Sequence, residues 1–334
     1  MRRIIEHLFF IAWFAAVSGC ETDPHTGRAA RRPIVAPSSH RAKRSRVRPE
    51  PASHAGTARA PRVAPRPRPV PRSEPLVPLA EACRVRAAWL RKRLPARFHI
   101  EVVPPYVVTG DLGRHGVRYN LKRGVLKPSK ALHATYFDKR PRRPITILLF
   151  KKFKTYAHWA KRLFNDTDVA YFGYFKPSNR TMVMNIGPGI GTLYHELTHA
   201  LIAVDFPGVP DWFNEGLASL HEGAYVSRNR FVAMVNWRFP ALRQALRNGK
   251  LRSLRDLVTA DDFYTRQVGM NYAQARHFAL FMQRRKLLRK FYRYFRDHPG
   301  TDHGLSALEH VFGYKTDRID REYRQFLRRI RRGR

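Results

Sequence analysis

The chain has 334 residues and 43% hydrophobic content, enough for one large or two modest domains with a sizeable buried core. Its 64 Lys and Arg residues against 25 Asp and Glu give a formal net charge of +39, which bears on partners and solubility and not on fold. The chain has only two cysteines, and no apolar run approaches the roughly 18 residues of a membrane span. A disulfide-stapled scaffold, a cysteine-rich zinc finger and a multi-span membrane protein are therefore excluded.

Residues 1–19 are predicted to form a signal peptide of the bacterial lipoprotein type. Two arginines precede an apolar stretch of twelve residues, Leu8 to Gly19. The stretch ends in Val17-Ser18-Gly19-Cys20, which resembles the lipobox of bacterial lipoproteins. The resemblance implies that Cys20 is acylated and becomes the first residue of an exported protein, lipid-anchored to a cell-envelope membrane. An ordinary cleaved signal peptide and a short uncleaved anchor are the alternatives.

Residues 20–78 are predicted to be a disordered tether. Twelve of the 24 prolines lie between Pro24 and Pro78, arginine is abundant and apolar periodicity is absent. Proline-rich segments of one charge stay extended because they lack a core and repel themselves. The segment is read as a solvated spacer, and its charge is also compatible with contacts to anionic envelope polymers. Residues 79–334 hold 49 Lys and Arg and 20 Asp and Glu, so this part is itself basic, with a net charge of +29.

From residue 79 onward the sequence pattern is that of a globular α+β domain. Lone Cys83 is expected to be a small buried side chain of the first helix. The predicted elements up to residue 190 are a helix over 79–94, strands over 98–103 and 145–150, a helix over 153–164, and a hairpin of 171–175 and 181–185. After Thr192 nearly every segment has a helical pattern. We therefore expect a small mixed or antiparallel sheet in 79–190, followed by a mostly helical half in 191–334.

The helical half opens with His195-Glu196-Leu197-Thr198-His199. Two histidines four residues apart lie on one face of a helix, so both imidazoles can reach one metal ion. Leucines at 193, 197 and 201 fall on the opposite face, and Glu196 lies beside the histidines. Catalytic zinc keeps three protein ligands and one open position, so the motif requires a third ligand.

A second helix, predicted to begin at Pro210-Asp211, supplies that ligand. The first helix is expected to end near Asp205, and Asp211 is expected to be the N-cap of the second. On the second helix Phe213, Leu217 and Leu220 share one side, and Glu215, Ser219 and Glu222 lie on the other. A short loop that returns this helix antiparallel to the first would direct Glu215 at the two histidines.

These residues together resemble the gluzincins, the zinc peptidases with a glutamate third ligand. The segment from Tyr194 to Ser219, with its Trp212-Phe213-Asn214-Glu215-Gly216-Leu217-Ala218 run, is most similar to the thermolysin-type catalytic domains called peptidase MA-like. The resemblance implies zinc bound by His195, His199 and Glu215, a zincin active-site helix, and Glu196 as general base. Thermolysins have an acidic residue where this chain has Ser219, so Ser219, Glu222 or a backbone carbonyl is expected to orient the first histidine.

Tyr272 lies in a segment that resembles the helix carrying the oxyanion-stabilising tyrosine of aminopeptidase-like members. A phenol there would donate to the developing oxyanion. A tyrosine that only packs in the core is the alternative, and Tyr225, Tyr264 and His277 are weaker candidates for the same role.

The sequence as a whole predicts a zinc-dependent peptidase in the cell envelope. A Gly-x-Met-Glu-Asn sequence, which anchors the free amine in aminopeptidases, is absent, so cleavage within peptides or proteins is expected. Partners are a peptide or protein substrate, the membrane through Cys20, and anionic envelope polymers; an exported lipoprotein would seldom meet nucleic acid. The alternatives are a basic, envelope-anchored protein that binds anionic polymers and has a catalytically idle metal site, and a metal-free relative.

Overall fold

The computed structural model describes residues 77–330, which belong to one compact unit. The predicted signal peptide, Cys20 and all but the last two residues of the predicted tether lie outside the described residues. The described part has the predicted α+β architecture, with a mixed sheet in its first half and mostly helices in its second. None of the helices within this part has the length and apolar character that crossing a bilayer requires.

A five-stranded mixed sheet organises the first half. Its strands are β1 (Glu101–Val103), β2 (Tyr106–Gly110), β3 (Ile145–Phe150), β4 (Gly173–Lys176) and β5 (Thr181–Asn185), in the order β1-β2-β3-β5-β4. The three central strands are parallel, and β1 and β4 are antiparallel edge strands. All six residues of β3 are buried, as expected for a central parallel strand that is covered on both faces.

The two faces of the sheet support two separate cores. Leu148 and Phe150 of β3 point into a smaller core formed with helices α1 (Leu79–Arg91) and α4 (Phe153–Phe164), and buried Cys83 lies there as predicted. Ile147 and Leu149 point to the opposite face, since side chains alternate along a strand. That face packs against the crossover between β2 and β3 and against the helices of the second half. The crossover consists of α2 (Gly113–Asn120), a π-helical segment (Leu121–Leu126) and α3 (Lys127–Thr135).

The second half contains eight helices and one hairpin within the described residues. They are α5 (Gly191–Asp205), α6 (Asp211–Glu222), β6 (Ala224–Ser227), β7 (Arg230–Ala233), α7 (Phe239–Arg247), α8 (Leu254–Thr259), α9 (Val268–Arg284), α10 (Leu288–Asp297), α11 (Leu305–Phe312) and α12 (Thr316–Arg329). The antiparallel hairpin β6–β7 departs from the predicted run of helices. The predicted N-cap is also wrong: Asp211 is the first residue inside α6, and Pro210 occupies the cap with a φ of −66° that suits entry into a helix.

Helices α5 and α6, which carry the sequence motifs, are fixed at defined points. The fully buried carboxylate of Asp205, the last residue of α5, accepts hydrogen bonds from the backbone of Asp138 at 2.8 Å and of Lys139 at 2.6 Å. It also accepts from the Tyr292 hydroxyl at 2.7 Å and the Arg296 guanidinium at 3.0 Å, both on α10. Helix α6 packs closely on α9 at Gly216, where an added Cβ would lie 3.0 Å from the carbonyl oxygen of Ala275. These contacts give the two helices a fixed relative position.

Candidate metal centre

His195, His199 and Glu215 converge at one point between α5 and α6. The two Nε2 atoms lie 3.0 Å apart, and Glu215 Oε2 lies 3.3 Å from that of His195 and 3.5 Å from that of His199. Ligands held tetrahedrally at about 2.0–2.1 Å from zinc are separated by about 3.3 Å. The three donor atoms are thus spaced as a zinc ion requires, and they form the cluster of this kind found among residues 77–330.

The apolar faces of the two helices produce this convergence. Leu193, Leu197 and Leu201 of α5 are buried in the larger core, which turns the histidines away from it. On α6, Phe213, Leu217 and Leu220 are buried in the same core, so Glu215 faces α5. Five residues, 206–210, connect the helices, and both predicted faces are therefore present as expected.

Hydrogen bonds around the cluster fix which atoms face its centre. His199 Nδ1 lies 2.8 Å from Asn214 Oδ1, which can only accept, so the Nδ1 carries the proton and Nε2 presents its lone pair. The Tyr264 hydroxyl donates to Glu215 Oε1 at 2.8 Å. Glu215 Oε2 is buried and has no hydrogen-bond partner among the described residues. An unsatisfied carboxylate oxygen aimed at two imidazoles is chemistry that a divalent cation completes.

The pKa values of the cluster show that its centre attracts positive charge. Burial alone raises the pKa of Glu215, but the charge of His199 and hydrogen bonds from both histidines hold it well below its ordinary value. Burial lowers the pKa of His199, and the charge and hydrogen bond of Glu215 outweigh this and raise it to about 9. A bound metal would take the place of the proton that the metal-free cluster retains.

Glu196 lies beside the cluster in a cavity of about 330 Å³. The cavity is lined by both histidines, Glu196, Glu215, Tyr264, Tyr272, Arg238 and residues of β4. Glu196 is 6% exposed, and burial raises its pKa against the lowering effect of the two histidines. A buried carboxyl with a raised pKa in a cleft has the properties of a general base.

Tyr272 also lies in this cavity, in contact with Glu215. Burial, followed by the charge of Glu215, raises its pKa well above the ordinary value, so its hydroxyl remains a donor. Of the weaker candidates, Tyr264 lines the cavity, whereas Tyr225 lines a different one. His277 is fully buried on α9, with Nδ1 2.8 Å from the carbonyl oxygen of Ala273.

The two residues predicted to orient the first histidine have other surroundings. Ser219 is fully buried, and its Oγ has no hydrogen-bond partner among the described residues. Glu222 forms an ion pair with Arg238 at 2.6 Å. The orienting contacts that the structure does show, from Asn214 and Tyr264, were not predicted. Asn214 adjoins Glu215 in the motif and could have been considered, whereas no local signal marks Tyr264.

Comparison with protein-family models and with curated proteins found no match to this chain. The functional assignment below therefore depends on the geometry of the cluster and on the sequence motif.

Proposed function

We propose that this protein is a zinc-dependent peptidase of the gluzincin type. The observation that carries the proposal is the convergence of two imidazole nitrogens and Glu215 Oε2, all within 3.5 Å, beside buried Glu196 in a cavity. A zinc ion held by these three residues supplies a Lewis acid for the scissile carbonyl and lowers the pKa of a water molecule.

Glu196 is the proposed proton carrier. As a carboxylate it accepts a proton from the attacking water, and as a carboxylic acid it delivers that proton to the nitrogen of the leaving amine. The raised pKa of Glu196 supports both halves of this cycle, because the group gains and loses a proton more readily near neutral pH than an exposed glutamate does. Its place on α5, next to His195, keeps it beside the metal ligands.

Tyr272 is the proposed donor to the oxyanion. Its hydroxyl stays protonated in the buried cavity and can stabilise negative charge on the former carbonyl oxygen. Its contact with Glu215 keeps the phenol near the metal ligands.

The edge strand β4 is the proposed support for the substrate. It pairs only with β5, so one side of its backbone has no strand partner in the described sheet. Gly173, Tyr174 and Phe175 of this strand line the cavity, and Phe175 contacts Glu196 through its backbone. An extended peptide can pair with such an edge through main-chain hydrogen bonds. This arrangement favours cleavage within a peptide chain, in line with the missing amine-anchoring sequence.

The proposed location follows from the sequence. Acylation of Cys20 would anchor the protein to a bacterial envelope membrane, and the proline-rich segment would hold the catalytic unit outside the cytoplasm. The net charge of +39 favours the second candidate function, a binding protein for anionic envelope polymers with an idle metal site.

The decisive experiment compares the full wild-type chain with Glu196→Gln, both purified without chelator. We expect about one zinc per chain in both proteins, because the substitution leaves the three ligands intact. Hydrolysis of a mixed peptide library should fall by about three orders of magnitude or more in Glu196→Gln. Glu309→Gln, a partly exposed glutamate on α11, is the matched control and should retain wild-type activity.

Each failure of this experiment has a distinct meaning. Absence of zinc from the wild type would refute the metal site. Zinc without hydrolysis, together with equal binding of an anionic polymer by both proteins, would favour the second candidate function. Equal hydrolysis by both proteins would remove Glu196 as the base.

A further inference from the structure

A cluster of exposed apolar side chains lies outside the metal cavity. Ten large hydrophobic side chains are exposed in the described part of the chain, and four of them line one open cavity of about 680 Å³. These four are Tyr119 (57% exposed), Tyr225 (51%), Met234 (43%) and Trp237 (44%). They come from α2, β6 and the segment after β7, so the fold brings them together from separate elements. Contiguous exposed apolar surface of this kind marks an interaction site more often than single exposed residues do.

The hairpin β6–β7 extends this apolar surface. Phe231 and Ala233 of β7 point inward and are buried, so the other face of the hairpin should carry polar residues. Instead, Tyr225 lies directly opposite Val232 on the outer face, and Val232 is 37% exposed. We call Tyr225, Val232, Met234, Trp237 and Tyr119, with the cations described next, the hairpin face.

Positive charge surrounds these apolar side chains. Arg123 and Lys127 line the same cavity, and exposed Arg228 and Arg230 lie at the tip of the hairpin. Glu222 is the one acidic residue in the lining of this cavity, and Arg238 neutralises it at 2.6 Å. The hairpin face is therefore both apolar and cationic.

The turn at the tip holds its arginine at a conformational cost. Arg228 has a φ of 47° and Asn229 a φ of 56°, the left-handed backbone of a tight two-residue hairpin turn. Asparagine and glycine suit these positions, whereas an arginine in this region is strained. The fold nevertheless places a cation here, which points to a use for the charge.

We propose that the hairpin face docks on a membrane surface that carries anionic lipid headgroups. Trp and Tyr rings favour the boundary between headgroups and acyl chains, and Arg and Lys are attracted to anionic lipid. Met234 and Val232 decide against an anionic polysaccharide, because exposed aliphatic side chains gain nothing from a hydrated polymer and gain free energy in acyl chains. The proposal uses no metal ligand and holds whether or not the protein is a peptidase.

Docking of this face would also position the metal cavity. Glu222 lines the cavity of the hairpin face, Arg238 lines the metal cavity, and the two side chains form one ion pair. The two cavities are thus neighbours across this pair. A docked hairpin face would hold the metal cavity beside the membrane surface.

The experiment uses the full chain, since the variants then share the basic segment before residue 77, which will itself attract anionic vesicles. Vesicles of phosphatidylcholine with about 30% phosphatidylglycerol carry bromine on their acyl chains, which quenches tryptophans that enter the bilayer boundary. We expect quenching of the wild type, and loss of most of it in Trp237→Phe, which still sediments with the vesicles. Equal quenching of both proteins, or none in the wild type, would overturn the proposal.

Two matched pairs test the apolar and the cationic parts by co-sedimentation. Tyr225→Ser should weaken vesicle affinity several-fold, whereas Tyr171→Ser, which removes a tyrosine of similar exposure (48%) elsewhere, should not. Arg228→Asn suits the turn and keeps the fold, and it should weaken affinity about fivefold, whereas Lys290→Asn on α10 should have a smaller effect. Equal effects within each pair would show diffuse attraction and overturn the proposal. Retention of an anionic polysaccharide without vesicle binding would do the same.

Discussion

Glu215→Gln removes the proposed third zinc ligand while it keeps the size of the side chain. In the structure Oε2 of Glu215 lies 3.3 and 3.5 Å from the two imidazole Nε2 atoms, and the amide nitrogen or neutral oxygen of glutamine would stand there instead. Loss of an outer partner of a zinc ligand lowers metal affinity about 10–100-fold, so loss of the ligand itself should lower it by about 100-fold or more. We therefore expect Glu215→Gln to lose most of its zinc during purification.

The effect on thermal stability follows from linkage. At free zinc of about 1,000 times Kd, the wild type gains about 4.1 kcal/mol of unfolding free energy. With a 100-fold weaker Kd at the same zinc concentration, the gain falls to about 1.4 kcal/mol. For a domain of this size, 1 kcal/mol corresponds to about 2–4 °C, so added zinc should raise Tm by about 8–16 °C in the wild type and about 3–6 °C in the variant.

The assay is a thermal melt with zinc and with chelator, and the quantity compared is the difference between the two. Glu222→Gln is the control, because it alters a glutamate on the same helix that pairs with Arg238 and not with the histidines. Its Tm should fall under both conditions, and its zinc-dependent increment should equal that of the wild type. A wild-type increment and one zinc per chain in Glu215→Gln would refute the gluzincin assignment and most of the proposed mechanism.

Three further predictions address the surroundings of the site. Asp205→Asn should lower the unfolding free energy at neutral pH by about 2–4 kcal/mol, since it weakens four hydrogen bonds to a fully buried carboxylate, whereas Asp297→Asn, 53% exposed and also paired with Arg296, should cost about 1 kcal/mol or less. Burial raises the pKa of Asp205, but these hydrogen bonds lower it more, so its stabilisation is present above the unfolded pKa of about 3.9 and is lost as pH falls through the lower folded value; urea titrations below pH 4 should show that Asp205→Asn lacks this loss. Gly216→Ala should cost about 1–3 kcal/mol in chemical denaturation, because its Cβ meets the backbone of Ala275 at 3.0 Å, whereas Gly269→Ala, with nothing within 4 Å, should be neutral or stabilising. Tyr264→Phe should weaken zinc affinity about 10–100-fold in competition with a chromophoric chelator, while Tyr171→Phe leaves it unchanged; equal affinities would show that the 2.8 Å bond to Glu215 does not orient the ligand.

Local patterns were sufficient to predict the elements that carry the site. Helix α4 occupies the predicted residues Phe153–Phe164, and the all-buried strand Ile145–Phe150 was read from its continuous apolar run. Both elements are determined by periodicity within a few turns or residues. The faces of α5 and α6 were predictable for the same reason, since a residue's place on a helix follows from its number.

The elements that were missed depend on contacts distant in sequence. Each strand of the hairpin β6–β7 has four residues, and its turn has arginine where asparagine or glycine would have signalled a hairpin. Packing of Phe231 and Ala233 in the core stabilises it instead. Tyr264 reaches Glu215 from 49 residues away, from the segment between α8 and α9, and no local periodicity marks it.

The unsatisfied oxygen of Glu215 connects the metal to the stability of the fold. A buried polar atom without a partner costs about 1–3 kcal/mol, and more when it is charged. Here Tyr264 and Asn214 hold the neighbouring atoms so that Glu215 Oε2 cannot turn away from the histidines without losing the 2.8 Å bond to Oε1. The metal-free protein can relieve the cost only by retaining a proton on His199, whose pKa of about 9 reflects that need. Above that pH the proton leaves and the cost returns in full, so the stabilisation that zinc confers should be larger on the alkaline side of this pKa than below it.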